Sequence, residues 1–385
     1  MSTIAGLMFP RRTIVSDSKR TAAHAPTTDE FWIRSCAAYV PATRVTVYEA
    51  IGRDWYGDEE HTKDGYLSVA VEREWWPADM ALATARTALD ASGADGARLA
   101  QLSYASIHRH GNARLWQPAA YLQRVLKAPQ ALAFSLSHGC NGMFVAARLA
   151  LDSLRDVAQG EERDALVVGA DRFGTSSFDR WRGDYGVLYG DAAAAVLFGR
   201  APGFARVRHL SIASVPELEG MHRHADEHIE DVGHAAHEFG VRASKKAFIE
   251  RFGRERFFEA IGAALARLRD DVLGATDLGT RPADWLITPH LSRSITRPLY
   301  AGMFRGLAVR HYEEYGLTVG HTGTADPFVS LAALARSGQL ERGQRVLLID
   351  SGAGFSCGLM LLDAHDVSRA MQCGDLHSLL SDLER

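Results

Sequence analysis

The chain has 385 residues, 46% hydrophobic and 23% charged, the balance of a globular protein with a sizeable core rather than a disordered or collagen-like chain. Its 43 basic and 47 acidic side chains leave a formal net charge of -4, too little positive field to grip a nucleic-acid backbone, so no nucleic-acid partner is expected. No apolar run approaches the ~20 residues that span a bilayer, and the opening MSTIAGLMFPRR is too short in apolar residues for a secretory signal; a cytoplasmic protein without a membrane partner is expected.

Residues 1–29 are polar and aperiodic and read as an N-terminal extension. From Phe31 strand-like runs alternate with helical patterns: a helix over 81–93, strands at 102–107 and 131–136, a long helix after Cys140, and strands at 165–171 and 192–199. Pro202-Gly203 then breaks the chain. A second series follows, with a strand near 205–213, a polar stretch, a helix from about 241 to 273, the strand WLITP at 285–289, another helix, and two apolar runs joined by DSGAGFSCG. The order predicts a layered α/β fold of two halves with a similar plan, 30–201 and 202–385.

Four cysteines (Cys36, Cys140, Cys357, Cys373) lie far apart without CxxC spacing, so reduced thiols are expected. Cys140 stands out in SLSHGCNGMF, where a strand ends and a helix begins. Unpaired backbone N–H groups and the helix dipole favour a thiolate at such a place, although an inert core thiol is the commoner occupant of an apolar context. His290 follows the WLITP strand, in a loop position where α/β sheets collect functional groups. His321 sits in a Gly/Thr turn, and Asp326 precedes Pro327 and an apolar helix, where it reads as an N-cap, a catalytic partner or both. The glycines of DSGAGFSCG could aim backbone N–H groups, that of Ala353 among them, into a cleft as oxyanion donors, or simply form a β-hairpin.

Over residues 31–363 the chain resembles the ketosynthase III branch of the thiolase superfamily. HGCNG, VLYGDAAAAVLF, the histidine of WLITPH and GAGFSCG fall in that family's order and spacing. The resemblance implies a five-layered αβαβα thiolase-like fold of two pseudo-repeats and a homodimer. It also implies an acyl-thioester formed on Cys140 from acyl-ACP or acyl-CoA, and an oxyanion hole from the Cys140 and Ala353 amides. It implies no cofactor or metal beyond the acyl donor. Two departures stand out. Gly320-His321-Thr322-Gly323 replaces the condensing members' Gly-Asn-Thr-Ser, and His290-Leu291-Ser292-Arg293 replaces their His-Gln-Ala-Asn. A histidine with a carboxylate five residues on can serve as a base, whereas asparagine is a neutral donor. The pattern is similar to a divergent acyltransferase branch from antibiotic pathways. It points to acyl transfer from Cys140 to a hydroxyl or amine acceptor, with His321 as base, Asp326 orienting it, and His290 lowering the thiol pKa or donating to the acyl carbonyl. Decarboxylating β-ketoacyl synthesis and a non-enzymatic partner subunit are the rival expectations.

Three weaker signals complete the reading. His222, His224, His228, His234 and His237 among acidic residues fit a polar surface segment or lid better than a zinc site, since the stretch has no cysteine. Arg242, Lys245, Lys246, Arg251, Arg254 and Arg256 make a basic helix that could dock an acidic acyl carrier protein or merely face solvent. Trp55, Tyr56, Glu74, Trp75 and Trp76 occupy a region that in the family helps form the dimer or substrate tunnel; core packing explains the aromatics, and a solvated position Glu74, equally well.

Overall fold

The computed structural model describes residues 30–381 apart from 109, 112, 114, 159–160, 175–177, 224–240 and 354. The expected N-terminal extension therefore lies outside the described residues. The first half runs β1 (Phe31–Tyr39), β2 (Arg44–Thr46), α1 (Val47–Gly52), α2 (Asp58–Asp64), β3 (Ser68–Ala70), α3 (Pro77–Ser92), β4 (Leu99–Ala105), α4 (Pro118–Val125), β5 (Leu132–Leu136), α5 (Gly142–Arg155), β6 (Asp164–Asp171) and β7 (Ala192–Gly199). The second runs β8 (Ala205–Ser214), α6 (Arg242–Phe252), α7 (Arg254–Ala275), β9 (Ala283–Ile287), α8 (Arg293–Ile295), β10 (Ala308–His311), α9 (Glu314–Val319), α10 (Asp326–Arg336), β11 (Arg345–Gly352), β12 (Ser356–Ala364), β13 (Ala370–Gln372) and α11 (Leu376–Ser381).

The strands repeat one plan. In the first half β5, β4 and β6 are parallel, and β7 and β1 continue the sheet antiparallel; in the second, β10, β9 and β11 are parallel, and β12 and β8 continue antiparallel. The halves join where β1, paired with β7 along most of its length, also pairs with β8 over Phe31–Ile33.

Alternation along the strands builds the layers. Ala165 and Val167 of β6 and Val346 and Leu348 of β11 face a shared central core with α5 and α10. Leu166 and Val168 face α3 and α4 on one outer side, and Leu347 and Ile349 face α7 on the other. Helix, sheet, helix, sheet, helix is thus the stacking order, and it explains why β6, β7 and β11 read as continuous apolar runs: both their faces are covered.

Several boundaries differ from the sequence expectation. The helix expected over 81–93 begins at Pro77, whose fixed φ suits a first turn, and ends at Gly93 with φ +65°. The strand expected at 102–107 is Leu99–Ala105, and WLITP leaves the sheet after Ile287. The single helix expected from 241 to 273 is two, because Gly253 adopts φ +83° between α6 and α7. Among the described residues, no helix is long and apolar enough to cross a membrane.

Candidate active site

Cys140 lies in the turn that links β5 to α5, with Gly142 N–H bonded to Gly139 O at 3.1 Å. Gly139 has φ +56°, and a Cβ there would stand 2.4 Å from Ala353 O and 2.8 Å from Ala353 N. Gly352 is its counterpart: a Cβ on it would stand 2.6 Å from Cys140 N and 2.4 Å from Asn141 N. Only hydrogen fits at both places, so the Gly352–Ala353 backbone closes directly against the amide of the cysteine. The glycines of DSGAGFSCG therefore do more than turn a hairpin between β11 and β12.

Cys140 Sγ is 2.9 Å from His321 Nε2, and His321 Nδ1 is 2.5 Å from Asp326 Oδ2. Asp326 is fixed in turn by Thr322 of the preceding loop, through its N–H at 2.5 Å and its Oγ–H at 2.7 Å, and by His290 N–H, from the loop after β9, at 2.9 Å. It is consequently not an N-cap. It is the first residue of α10, its backbone is helical, and its carboxylate faces back to the loop rather than to the free N–H groups of its own helix. Burial alone would lower the His321 pKa, but the Asp326 charge, the Cys140 sulfur and the hydrogen bonds to both hold it well above the usual histidine range. Burial acts to raise Asp326, and the two neighbouring histidines and the bonds from His321 and Thr322 outweigh it, leaving the carboxyl well below the usual range.

The two histidines are separated in role. Both ring nitrogens of His290 are engaged away from the cysteine: Nδ1–H donates to Gly320 O at 2.9 Å, and Nε2 meets Ser330 Oγ at 2.7 Å. Burial lowers its pKa, which suits this neutral tautomer. The expected action of His290 on the thiol or the acyl carbonyl has no such contact behind it. Instead, its backbone N–H anchors Asp326, and its ring holds the turn that carries His321.

The remaining cysteines differ from Cys140 in environment. Cys36, Cys357 and Cys373 are buried, and burial pushes each thiol up to about 12, whereas Cys140 is partly exposed.

Beside the site, the Tyr189 ring packs edge-on against His321 at 5.3 Å, and Phe173 and Phe178 pack against Tyr189 at 4.7 and 4.8 Å. Both phenylalanines line a cleft of about 570 Å³ that also holds Trp55, Arg73, Arg172 and Trp181. Trp55 thus faces the cleft, while Tyr56 is buried and donates to Asp64 at 2.6 Å. Trp75 packs at the edge of the α3 core, Trp76 stacks under Arg172, and Glu74 pairs with His377 at the surface.

The basic helix is only partly free to dock. Lys245 bonds both oxygens of Asp184, at 2.5 and 2.7 Å, and Arg242 reaches Glu60 at 3.0 Å. Lys246 pairs with Glu250 across a turn, and Arg251 and Arg256 lie over the exposed ring of Phe252. His224, His228, His234 and His237 lie outside the described residues. His222 packs on Phe355, and burial together with the nearby Lys245 charge pushes its pKa down to about 4.

Sequence reasoning missed Thr322, Ser330 and Tyr189. Thr322 stands four residues before Asp326, a spacing that a closer look at GHTGTAD could have used; Ser330 and Tyr189 meet the histidines only through the tertiary fold.

The chain matches the family described as 3-oxoacyl-(acyl-carrier-protein) synthase III over residues 134–214, and that family's C-terminal part over residues 273–364. The β-ketoacyl-(acyl-carrier-protein) synthase III of Sodalis glossinidius is 30% identical over 251 residues, covering 63% of this chain and 71% of the relative; that of Blochmanniella pennsylvanica is 29% identical over the same shares. The solved structure of ChlB3, an acyltransferase, is 30% identical with a TM-score of 0.78, covering 89% of this chain and 99% of ChlB3. A priming β-ketosynthase from a polyketide pathway shares the fold at 20% identity and a TM-score of 0.66, over 90% of this chain and 99% of its own. With its paired five-layer architecture and a cysteine at the start of the central helix, the chain belongs to the β-ketoacyl-(acyl-carrier-protein) synthase III family of thiolase-fold enzymes.

Proposed function

We propose that the chain is an acyltransferase of this family, working in secondary-metabolite (polyketide or antibiotic) biosynthesis. It takes an acyl group from acyl-ACP or acyl-CoA onto Cys140 and passes it to a hydroxyl or amine acceptor. The observation that carries this reading is the 2.9 Å contact of Cys140 with a histidine backed by a carboxylate, at the place where condensing relatives hold a neutral asparagine.

In the first half-reaction His321 Nε2 takes the thiol proton and Cys140 Sγ attacks the donor carbonyl. The Cys140 and Ala353 amides hold the oxyanion. The Sγ–C bond forms, the donor C–S bond breaks, and the departing thiol takes the proton from His321. In the second, the acceptor gives its O–H or N–H proton to His321 and attacks the acyl carbon. The new C–O or C–N bond forms, the Sγ–C bond breaks, and His321 returns the proton to sulfur. Asp326 fixes the tautomer throughout. This gives His321 both half-reactions, rather than sharing them with His290. The similarity to ChlB3 supports transfer over condensation.

The decarboxylating synthase is the second reading, and the curated relatives favour it. Intact-mass measurement after incubation with malonyl and simple acyl thioesters separates the two. The expected result is a stable acyl adduct that is absent from Cys140→Ala, with any malonyl group retained whole. Loss of carbon dioxide with formation of a β-ketoacyl product would install the condensing reading instead.

A further inference from the structure

Two buried acceptors without hydrogen-bond partners among the described residues lie on the inner side of β11 and β12 beneath the nucleophile turn. Asp350 and Gly358 are register partners in β11 and β12. Asp350 shares its strand face with Val346 and Leu348, the face turned to the central layer and α5. On that side Asn141 Oδ1 lies only 2.7 Å from where a Cβ on Gly358 would be. Directly opposed positions in an antiparallel pair stand ~5 Å apart at Cβ, so the Asp350 side chain and the Asn141 amide oxygen share one side of the same cross-strand pair, within a side chain's reach. Asp350 is fully buried, its Oδ1 accepts from Ser351 N–H at 2.8 Å, and among the described residues neither its Oδ2 nor Asn141 Oδ1 has a hydrogen-bond partner. Two oxygens without a proton between them leave both unsatisfied in a dry interior, an arrangement proteins rarely tolerate.

The rest of the chain of bonds is already directional. Asn141 Nδ2–H donates to Ser356 Oγ at 2.8 Å, and Ser356 Oγ meets His138 Nε2 at 2.9 Å. Burial lowers the His138 pKa, so a neutral ring can accept the serine proton. Only the far end lacks its donor. We propose that Asp350 carries its proton and donates it to Asn141 Oδ1, so that Asp350, Asn141, Ser356 and His138 form one continuous chain. That chain fastens the nucleophile turn, residues 138–141, to the strands on either side of Gly352–Ala353. Burial and the nearby Asp326 charge both disfavour the ionised carboxyl, against the opposing charge of His321. Asp350 is thereby a positioning residue: it touches no reacting atom and holds the two amides that face the acyl oxygen. The inference rests on the proposed acyl capture at Cys140.

The test pairs a spectroscopic measurement with two variants. In protein whose aspartates are isotope-labelled in the side-chain carboxyl, infrared spectra at neutral pH should show the C=O stretch of a protonated acid that disappears in Asp350→Asn. Asparagine still donates to Asn141 Oδ1 and accepts from Ser351, so Asp350→Asn should capture acyl groups within about threefold of the wild type. Asp350→Leu keeps the bulk but removes the donor, and capture should fall roughly 100-fold, the scale of a disturbed oxyanion contact. Absence of the band, or an asparagine variant as slow as the leucine variant while the wild type captures normally, would overturn the proposal. A wild type that forms no adduct would instead overturn the acyl-capture reading, and the infrared band would still decide for or against a protonated Asp350.

Discussion

His321 changes its proton affinity during the reaction that its geometry supports. Two of the influences that raise its pKa come from Cys140, as charge and as hydrogen bond, and two from Asp326. Once the sulfur is acylated it carries no charge, so the first pair vanishes and the pKa of His321 falls toward the value that Asp326 and burial set between them. Transfer needs the neutral ring. The transfer rate of preformed acyl-enzyme should therefore rise with pH and level off, with its midpoint below the resting pKa of His321. A transfer rate that falls with rising pH, or that stays flat far into the acid range, would exclude His321 as the base. Asp326→Asn tests the other end of the pair: replacing the carboxylate should slow transfer by roughly 100- to 10,000-fold, because the ring loses its tautomer and its countercharge. The stability sign is also fixed. The raised histidine stabilises the fold fully below its unfolded value of ~6.5 and loses that contribution as pH climbs through its folded value. The lowered aspartate contributes above ~4 and loses it as pH falls. The melting-temperature gap between wild type and Asp326→Asn should thus be widest between about pH 4 and 6.5 and narrow on both sides.

Elements place these groups, and they show why some of the site was legible in the sequence and some was not. Cys140 before a helical apolar face, and Gly-rich segments flanking strands, are local patterns, so the strand-turn-helix around the nucleophile could be read directly. The departure at His321 was legible for the same reason. The carboxylate of Asp326 was ambiguous because a residue before Pro327 looks alike whether it caps its helix or faces backward; only the packing of the 320–325 turn decides. The diversion of His290 depends on Ser330, one turn into α10, and no spacing announces that contact. The break at Gly253 was missed because a single glycine inside a helical pattern does not by itself announce a positive φ; only the folded backbone separates α6 from α7 there. The close approach at Gly352 gives an element-scale prediction. A Cβ there meets two backbone nitrogens rather than a movable side chain, so Gly352→Ala should spread the turn and slow acyl capture by about 100-fold. Gly262, inside α7 with nothing within 4 Å of its Cβ position, is the control: Gly262→Ala should raise stability by about 0.5–1 kcal/mol and leave capture unchanged. Equal capture rates in the two variants would show that the turn has room the structure does not give it.

At the scale of the whole molecule the two halves bury both faces of each sheet, and among the described residues β5 and β10 stand at the two free edges. β5 ends the first sheet, pairs among the described residues only with β4, and carries the apolar sequence LAFSL with Leu132 69% exposed. Single-chain proteins blunt such edges with lysine, proline or a covering helix, because unpaired N–H and C=O groups beside apolar side chains recruit another strand. Nothing of that kind protects β5 within its own residues, and the nucleophile turn follows it directly, six residues from Phe134 to Cys140. A second copy of the chain, the homodimer that the family resemblance implies, would cover this edge and brace that turn. Leu132→Lys tests the idea. On an isolated protomer an exposed substitution costs within about 0.5 kcal/mol, so the variant should fold. In a dimer closed through β5 it places like charges across the two-fold axis. Sedimentation should then show the wild type as a dimer and the variant as a monomer, with acyl capture lowered in parallel with the lost dimer. A variant that remains dimeric would move the interface elsewhere, and a monomeric variant with undiminished capture would show that the site is complete in one chain.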